Sequence, residues 1–214
     1  MDWVIASPSF GGLPPKRARA YSEPVMPRDA QAEDEDLMLA YARGSTDAFD
    51  TLYRRHKGPL YRYLVRQCRD PSTAEELFQD IWANLVRARQ SYVVTARFTT
   101  WLYRLAHNRL IDHYRRHAPA SLASFDDEDA GLAEPAAAAH EQPDAAYDAK
   151  AKAARLLTVL GELPEAQREA FVLQNESGMS IEEIAEATGV NRETAKSRLR
   201  YAMAKLRAGM QGWL

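Results

Sequence analysis

Cysteine is nearly missing from this 214-residue chain, where Cys68 stands alone. A single thiol excludes an intrachain disulfide and a thiolate metal cluster. With no activating partner in view, Cys68 is expected to be a small buried residue in a reducing, cytoplasmic setting. Long apolar runs are also missing, since none approaches the roughly 18 residues of a membrane span. The first residues lack the positive-then-apolar order of a secretory signal, because Lys16, Arg17 and Arg19 follow the apolar part. There is no metal-ligand cluster, phosphate-cradling glycine loop or nucleophile-base motif. His107, His113 and His117 are spaced along a basic stretch with no carboxylate partner in the sequence pattern. The chain is therefore expected to perform no bond chemistry, to hold no cofactor or metal, and not to insert into a membrane.

Net charge is also scarce, at -2. The small sum hides a segregated distribution. Tyr53 to Arg69 carries six Lys/Arg and no Asp/Glu, and Val190 to Leu214 carries six Lys/Arg against Glu193 alone. Between them, Ala120 to Ala149 carries eight Asp/Glu and no Lys/Arg. Two basic modules are held apart by an acidic spacer.

The best-defined stretch runs from Ser180 to Arg207. Ser180 and Glu183 have the spacing of a capping box. Ile181, Ile184, Ala185 and Ala187 give a short helix one apolar face. Gly189 then supplies a left-handed turn residue, and Asn191 can cap a second helix. On that helix Ala195, Leu199, Ala202 and Leu206 form an inward stripe. Arg192, Lys196, Ser197 and Arg200 occupy the other side. A capped helix, a glycine turn and a basic outer face are the parts of a helix-turn-helix that reads the major groove. A plain helical hairpin with a solvated basic face is the competing reading.

Elsewhere the pattern is also helical, with no strand run, so the fold is expected to be all-α. Residues 1–32 are proline-rich and aperiodic, which predicts a disordered tail. Met26 offers a second start within it. A short helix follows over Glu35–Arg43, and another is expected from a Thr46 cap, with a bend at Gly58-Pro59 and a stop at Asp70-Pro71. Ser72 and Glu75 form a second capping-box pattern for a helix over Thr73–Arg89. It buries Leu77, Phe78, Ile81 and Leu85 and shows Glu75, Glu76, Gln79 and Asp80 outward. After a loop over Gln90–Arg97, the helix Thr99–His117 mixes five Arg, counting Arg97, with Trp101, Tyr103 and Tyr114. Arginine neutralises phosphate and aromatic faces replace lost base stacking, as melting DNA requires. Core packing is the alternative for most of these rings. Residues 118–149 read as a flexible acidic linker, and helix resumes near Asp148 with Leu156, Leu157, Val159, Leu160 and Leu163 as its apolar group. The expected architecture is two small helical domains, 33–117 and 150–214, joined by that linker.

Two stretches then resemble one family. DLMLAYARGSTDAFDTLYRRH, AEELFQDIWANLV and FTTWLYRLAHNRLIDHYRRH look like the amino-terminal conserved domain of bacterial sigma factors. LGELPEAQREAFVL with SIEEIAEATGVNRETAKSRLRYAMAKLR looks like the carboxy-terminal one. The absence of a recognisable middle domain resembles the extracytoplasmic-function group of the sigma-70 family. The resemblance spans about 35–117 and 150–207. It implies that Glu76, Leu77, Gln79 and Asp80 bind core RNA polymerase. It implies that Trp101, Asn108, Asp112, Arg115 and Arg116 open and read the minus-ten promoter element. It implies that Lys196, Ser197 and Arg200, with Arg192 more weakly placed, read the minus-thirty-five element, while Arg198 meets phosphate or packs at the groove's edge. Phe78 and Trp82 depart from the residues usual at their positions. Core polymerase, promoter DNA and an anti-sigma factor are the implied partners. The acidic linker is either a soluble tether or a mimic of nucleic-acid charge. A conventional helix-turn-helix regulator, with a sensing or dimerising first half, is the alternative.

Overall fold

The computed structural model describes residues 32–117 and 145–213. The expected tail, apart from Ala32, and most of the expected linker lie outside them. Among the described residues the chain is helical, with no strand.

The first half contains α1 (Asp34–Ala42), α2 (Thr46–Cys68), α3 (Pro71–Ala88) and α4 (Phe98–His117). Its core mixes aliphatic side chains, with Leu52, Leu60, Leu64, Leu77, Ile81, Leu85 and Leu102 removed from solvent, and the buried rings of Tyr63, Phe98 and Tyr103. Capping differs from the sequence expectation in two places. Ser45, not Thr46, caps α2 by accepting from the Ala48 amide. Asp70, not Ser72, caps α3 by accepting from the Ser72 and Thr73 amides. Pro71 is therefore the first helical residue, where its missing N–H costs nothing. The expected bend at Gly58-Pro59 does not break α2, which runs through both residues to an Arg69 in left-handed conformation. A 3-10 turn at Arg89–Ser91 and an irregular segment then lead to α4.

The second half contains α5 (Ala145–Glu162), α6 (Glu165–Ser177), α7 (Ile181–Thr188) and α8 (Arg192–Gly209). The Ser180–Glu183 capping box is complete, Gly189 has φ 70°, and the Asn191 side chain accepts from the Thr194 amide. Ala195, Leu199, Ala202 and Leu206 are buried as a stripe against the neighbouring helices. Helix α5 packs principally on α8. It therefore buries Val159 and Leu160, with Leu163 just beyond its end, and leaves Leu156 and Leu157 exposed, contrary to expectation.

The two halves are packed together, α7 on α4 and α6 on α2. The seam is polar and mostly buried. Arg168 is 1% exposed and donates to the carbonyls of Leu163 and Gln67 and to the Gln67 side chain. Glu169 accepts from Tyr63 and lies 2.9 Å from His107 Nδ1. His107 thus has a carboxylate partner that sequence spacing did not show. Glu176 pairs with Arg62 and Arg66, and Glu183 with Arg97. Burial, then the Glu169 charge, push the Tyr63 hydroxyl well above its ordinary pKa.

Candidate nucleic-acid interface

Helix α4 separates into two faces. At about 100° per residue, Trp101, Arg104, Asn108, Asp112 and Arg115 fall on one row, with Arg116 at its edge. Arg104, Asn108, Asp112, Arg115 and Arg116 are exposed along it. Tyr103 and His107 lie on the opposite side, where the second half packs. Packing of the halves therefore leaves the row open. Trp101 is half-buried, with Tyr92 at 4.9 Å and Phe98 at 5.9 Å between ring centroids. Phe98 and Tyr103 belong to the core, as the packing alternative held. Tyr114 is half-buried and donates to the Gln67 carbonyl. Arg104 shares the exposed row, although the sequence reading did not place it among the candidate residues. Its four-residue step to Asn108 was the available signal.

On α3, Glu75, Glu76 and Gln79 form an exposed acidic-polar face, with Gln79 donating to Glu75 at 3.1 Å. Leu77 is wholly buried, so its part is to anchor α3 beneath that face. Asp80 stands at the border and accepts from Arg109 Nε at 2.9 Å, which ties α3 to α4. Cys68 is half-buried, and burial raises its thiol pKa to about 11, so it is no nucleophile at neutral pH.

On α8, Glu193, Lys196, Ser197 and Arg200 follow i, i+3, i+4, i+7 spacing and line an open groove with Asn191 and Thr194. The buried Ala195–Leu206 stripe lies on the reverse side. Ser197 turns back to donate to the Thr194 carbonyl. Arg192 sits roughly 90° from the row centre. It bonds Glu182 at 2.5 Å and Glu193 at 3.1 Å, so it is an ion-paired neighbour of that row. Arg198 is half-buried at the other flank. Its placement fits a backbone contact better than a base contact.

These two rows and the acidic face coincide with two family models in the expected order. Sigma-70 region 2 matches residues 52–119, and Sigma-70 region 4 matches residues 153–206. The chain is 33% identical over 172 residues to the RNA polymerase sigma factor CarQ of Myxococcus xanthus, which covers 79% of this chain and 93% of that protein. It is 30% identical over 184 residues to the ECF RNA polymerase sigma factor SigM of Mycobacterium tuberculosis, which covers 86% and 87% respectively. The solved structure of CnrH in complex with the cytosolic domain of CnrY superposes with a TM-score of 0.60 at 25% identity, covering 83% of this chain and 97% of that one. The sigma factor RpoE of Bartonella quintana, solved with the anti-sigma factor NepR, shares the fold at a TM-score of 0.56 and 22% identity, covering 76% and 96%. With both region models matched in order and relatives aligned across most of their length, the chain belongs to the extracytoplasmic-function group of sigma-70 family RNA polymerase sigma factors.

Proposed function

We propose that this sigma factor divides its work among three surfaces. The α3 face of Glu76, Gln79 and Asp80, held by Leu77, docks on core RNA polymerase. Acidic side chains there favour a basic partner surface and raise the rate of productive encounter. The α4 row opens and reads the minus-ten element. Asn108 offers both a donor and an acceptor to an unstacked base, and Arg115 and Arg116 neutralise phosphate. Trp101, half-buried against Tyr92 and Phe98, stands on the same row, and Asp112 completes it. The α8 row reads the minus-thirty-five element, with Lys196 and Arg200 suited to guanine O6 and N7. Each half-reader can bind weakly, because polymerase supplies the shared attachment that raises effective concentration.

One observation carries this reading: two exposed basic-polar rows stand on one chain, each within a region-specific family match. A conventional regulator accounts for α8 alone and leaves the α3 face and α4 row without a role. An anti-sigma factor is a third partner on this reading, supported by the protein-bound state in which CnrH was solved. The chain performs no bond chemistry of its own. It acts in the cytoplasm, where the polymerase and promoter DNA of this reading are found.

The test is reconstituted transcription with core polymerase on a genomic promoter library. Promoter-dependent starts that core polymerase alone does not make are expected. Their absence with folded protein would reject the reading.

A further inference from the structure

Helix α4 carries four arginines, and one of them stands apart. Arg104, Arg115 and Arg116 are exposed along the row described above, whereas Arg109 is not. Arg109 lies two turns before Arg116, at the edge of the row. Its side chain is only 17% exposed and crosses to α3. There its Nε donates to Asp80 Oδ2 at 2.9 Å, and its Nη2 donates to the same oxygen. The Asp80 side chain is 39% exposed. The pair is therefore lopsided, with a covered guanidinium behind an accessible carboxylate. Both donors are spent on Oδ2, so Oδ1 is left for a partner.

Without that support the carboxylate would be poorly held. Glu76 lies four residues before Asp80, a spacing at which like charges on a helix repel. A side chain that is free to turn must also be ordered when a partner docks, which costs about two- to ten-fold in affinity. Arg109 reduces both costs. Its charge offsets the repulsion, and its two N–H groups fix the carboxylate before the partner arrives. An arginine held in this way is withdrawn from phosphate, because reaching DNA would break two charge-assisted hydrogen bonds. We propose that Arg109 is a positioning residue for polymerase docking: from the flank of α4 it holds the Asp80 carboxylate of α3 in the orientation that core polymerase meets. One helix then serves two partners, with its exposed row toward promoter DNA and its flank setting a contact to the enzyme. This inference rests on the proposed role of the α3 face in docking.

The experiment titrates labelled full chain with core polymerase in the absence of DNA. The chains are wild type, Arg109→Gln, Arg109→Lys and Asp80→Ala, with each Arg109 variant also made in the Asp80→Ala background. Urea unfolding of every chain records its stability separately. Arg109→Gln should weaken polymerase binding by about two- to ten-fold. Arg109→Lys keeps the charge without the fork, and should fall between that variant and wild type. In the Asp80→Ala background neither Arg109 variant should weaken binding further, because a positioning residue acts only through the group it positions. An equal loss in both backgrounds is what a merely structural arginine gives, and overturns the proposal. If Asp80→Ala weakens binding while Arg109→Gln does not, the proposal is overturned and the docking face stands. If Asp80→Ala binds as wild type does, Asp80 is not part of the docking face, and the inference is overturned together with that part of the reading. Should Arg109→Gln fail to fold, Arg109→Lys in the two backgrounds decides by the same comparison.

Discussion

The Tyr63 hydroxyl donates to the Glu169 carboxylate at 2.5 Å, joining α2 to α6 across 106 residues of chain. Both side chains are buried, and His107 from α4 meets the same carboxylate oxygen at 2.9 Å. Three helices thus converge on one atom. Tyr63→Phe keeps the ring and removes the donor, leaving a buried carboxylate with one partner fewer. The expected cost is about 1.5–3 kcal/mol, as for hydrogen bonds to charged groups, measured by urea unfolding of the full chain. A change within experimental error would mean that the halves are apart in solution.

Glu176 makes the same seam sensitive to acid. Burial raises its pKa, but hydrogen bonds from Arg62 and Arg66 and the Arg66 charge prevail, holding it below its ordinary 4.5. A depressed folded value means that the stabilisation is complete above the unfolded value and is lost as pH falls through the folded one. The stability difference between wild type and Glu176→Gln should be constant from neutral pH to about 5, then shrink steadily below 4.5. Unfolding free energies across that range give the measurement. A difference that persists undiminished at the acid end would show that the contact is not ionic.

Helix α5 is fastened to α8 where Gly209 faces Val159. A β-carbon at Gly209 would lie 2.5 Å from Val159 Cγ1, and Val159 is stiff at its branch point. Gly209→Ala should lower stability by about 1 kcal/mol net, because overpacking of about 1–3 kcal/mol outweighs a helix-propensity gain of up to about 1 kcal/mol. In a Val159→Ala background the same change should become neutral or favourable. Calorimetry on the double-mutant cycle checks the sign of the coupling.

Lys196 and Arg198 are two residues apart and should fail differently. Lys196 lies on the exposed row, so Lys196→Ala should weaken chosen promoters and relax selection by about 1–3 kcal/mol. Arg198 lies half-buried at the flank, so Arg198→Ala should weaken all DNA alike and reduce the salt slope by about one. Titrations on promoter and scrambled duplexes at several salt concentrations separate the two. Equal behaviour of both variants would remove the division between base and backbone contact.

Features set by near neighbours were legible in the sequence. Ser180, Glu183, Gly189 and Asn191 took their expected capping roles because each acts within one helical turn. The α8 stripe was equally plain, since its period is local. Asp70 was missed as a cap because Asp70-Pro71 reads as a stop for the helix before it, although it also opens the helix after it. Arg168 and Glu169 gave no signal. Within PEAQREAF they look like a solvated polar face, and their burial depends on Gln67, Tyr63 and His107, far away in sequence. Leu156 and Leu157 erred the other way, because periodicity cannot say how many neighbours a helix will have.

The seam and the reading row stand on different helices of the second half. Arg168, Glu169 and Glu176 are on α6, whereas Glu193, Lys196, Ser197 and Arg200 are on the outer side of α8. The remainder of its half meets α8 chiefly through the inner stripe, with Gly209 and the Arg192–Glu182 pair besides. On the proposed role of α8, the outer row is free to diverge between duplicated copies of such a chain, acquiring new promoters, while the docking of the halves is inherited unchanged.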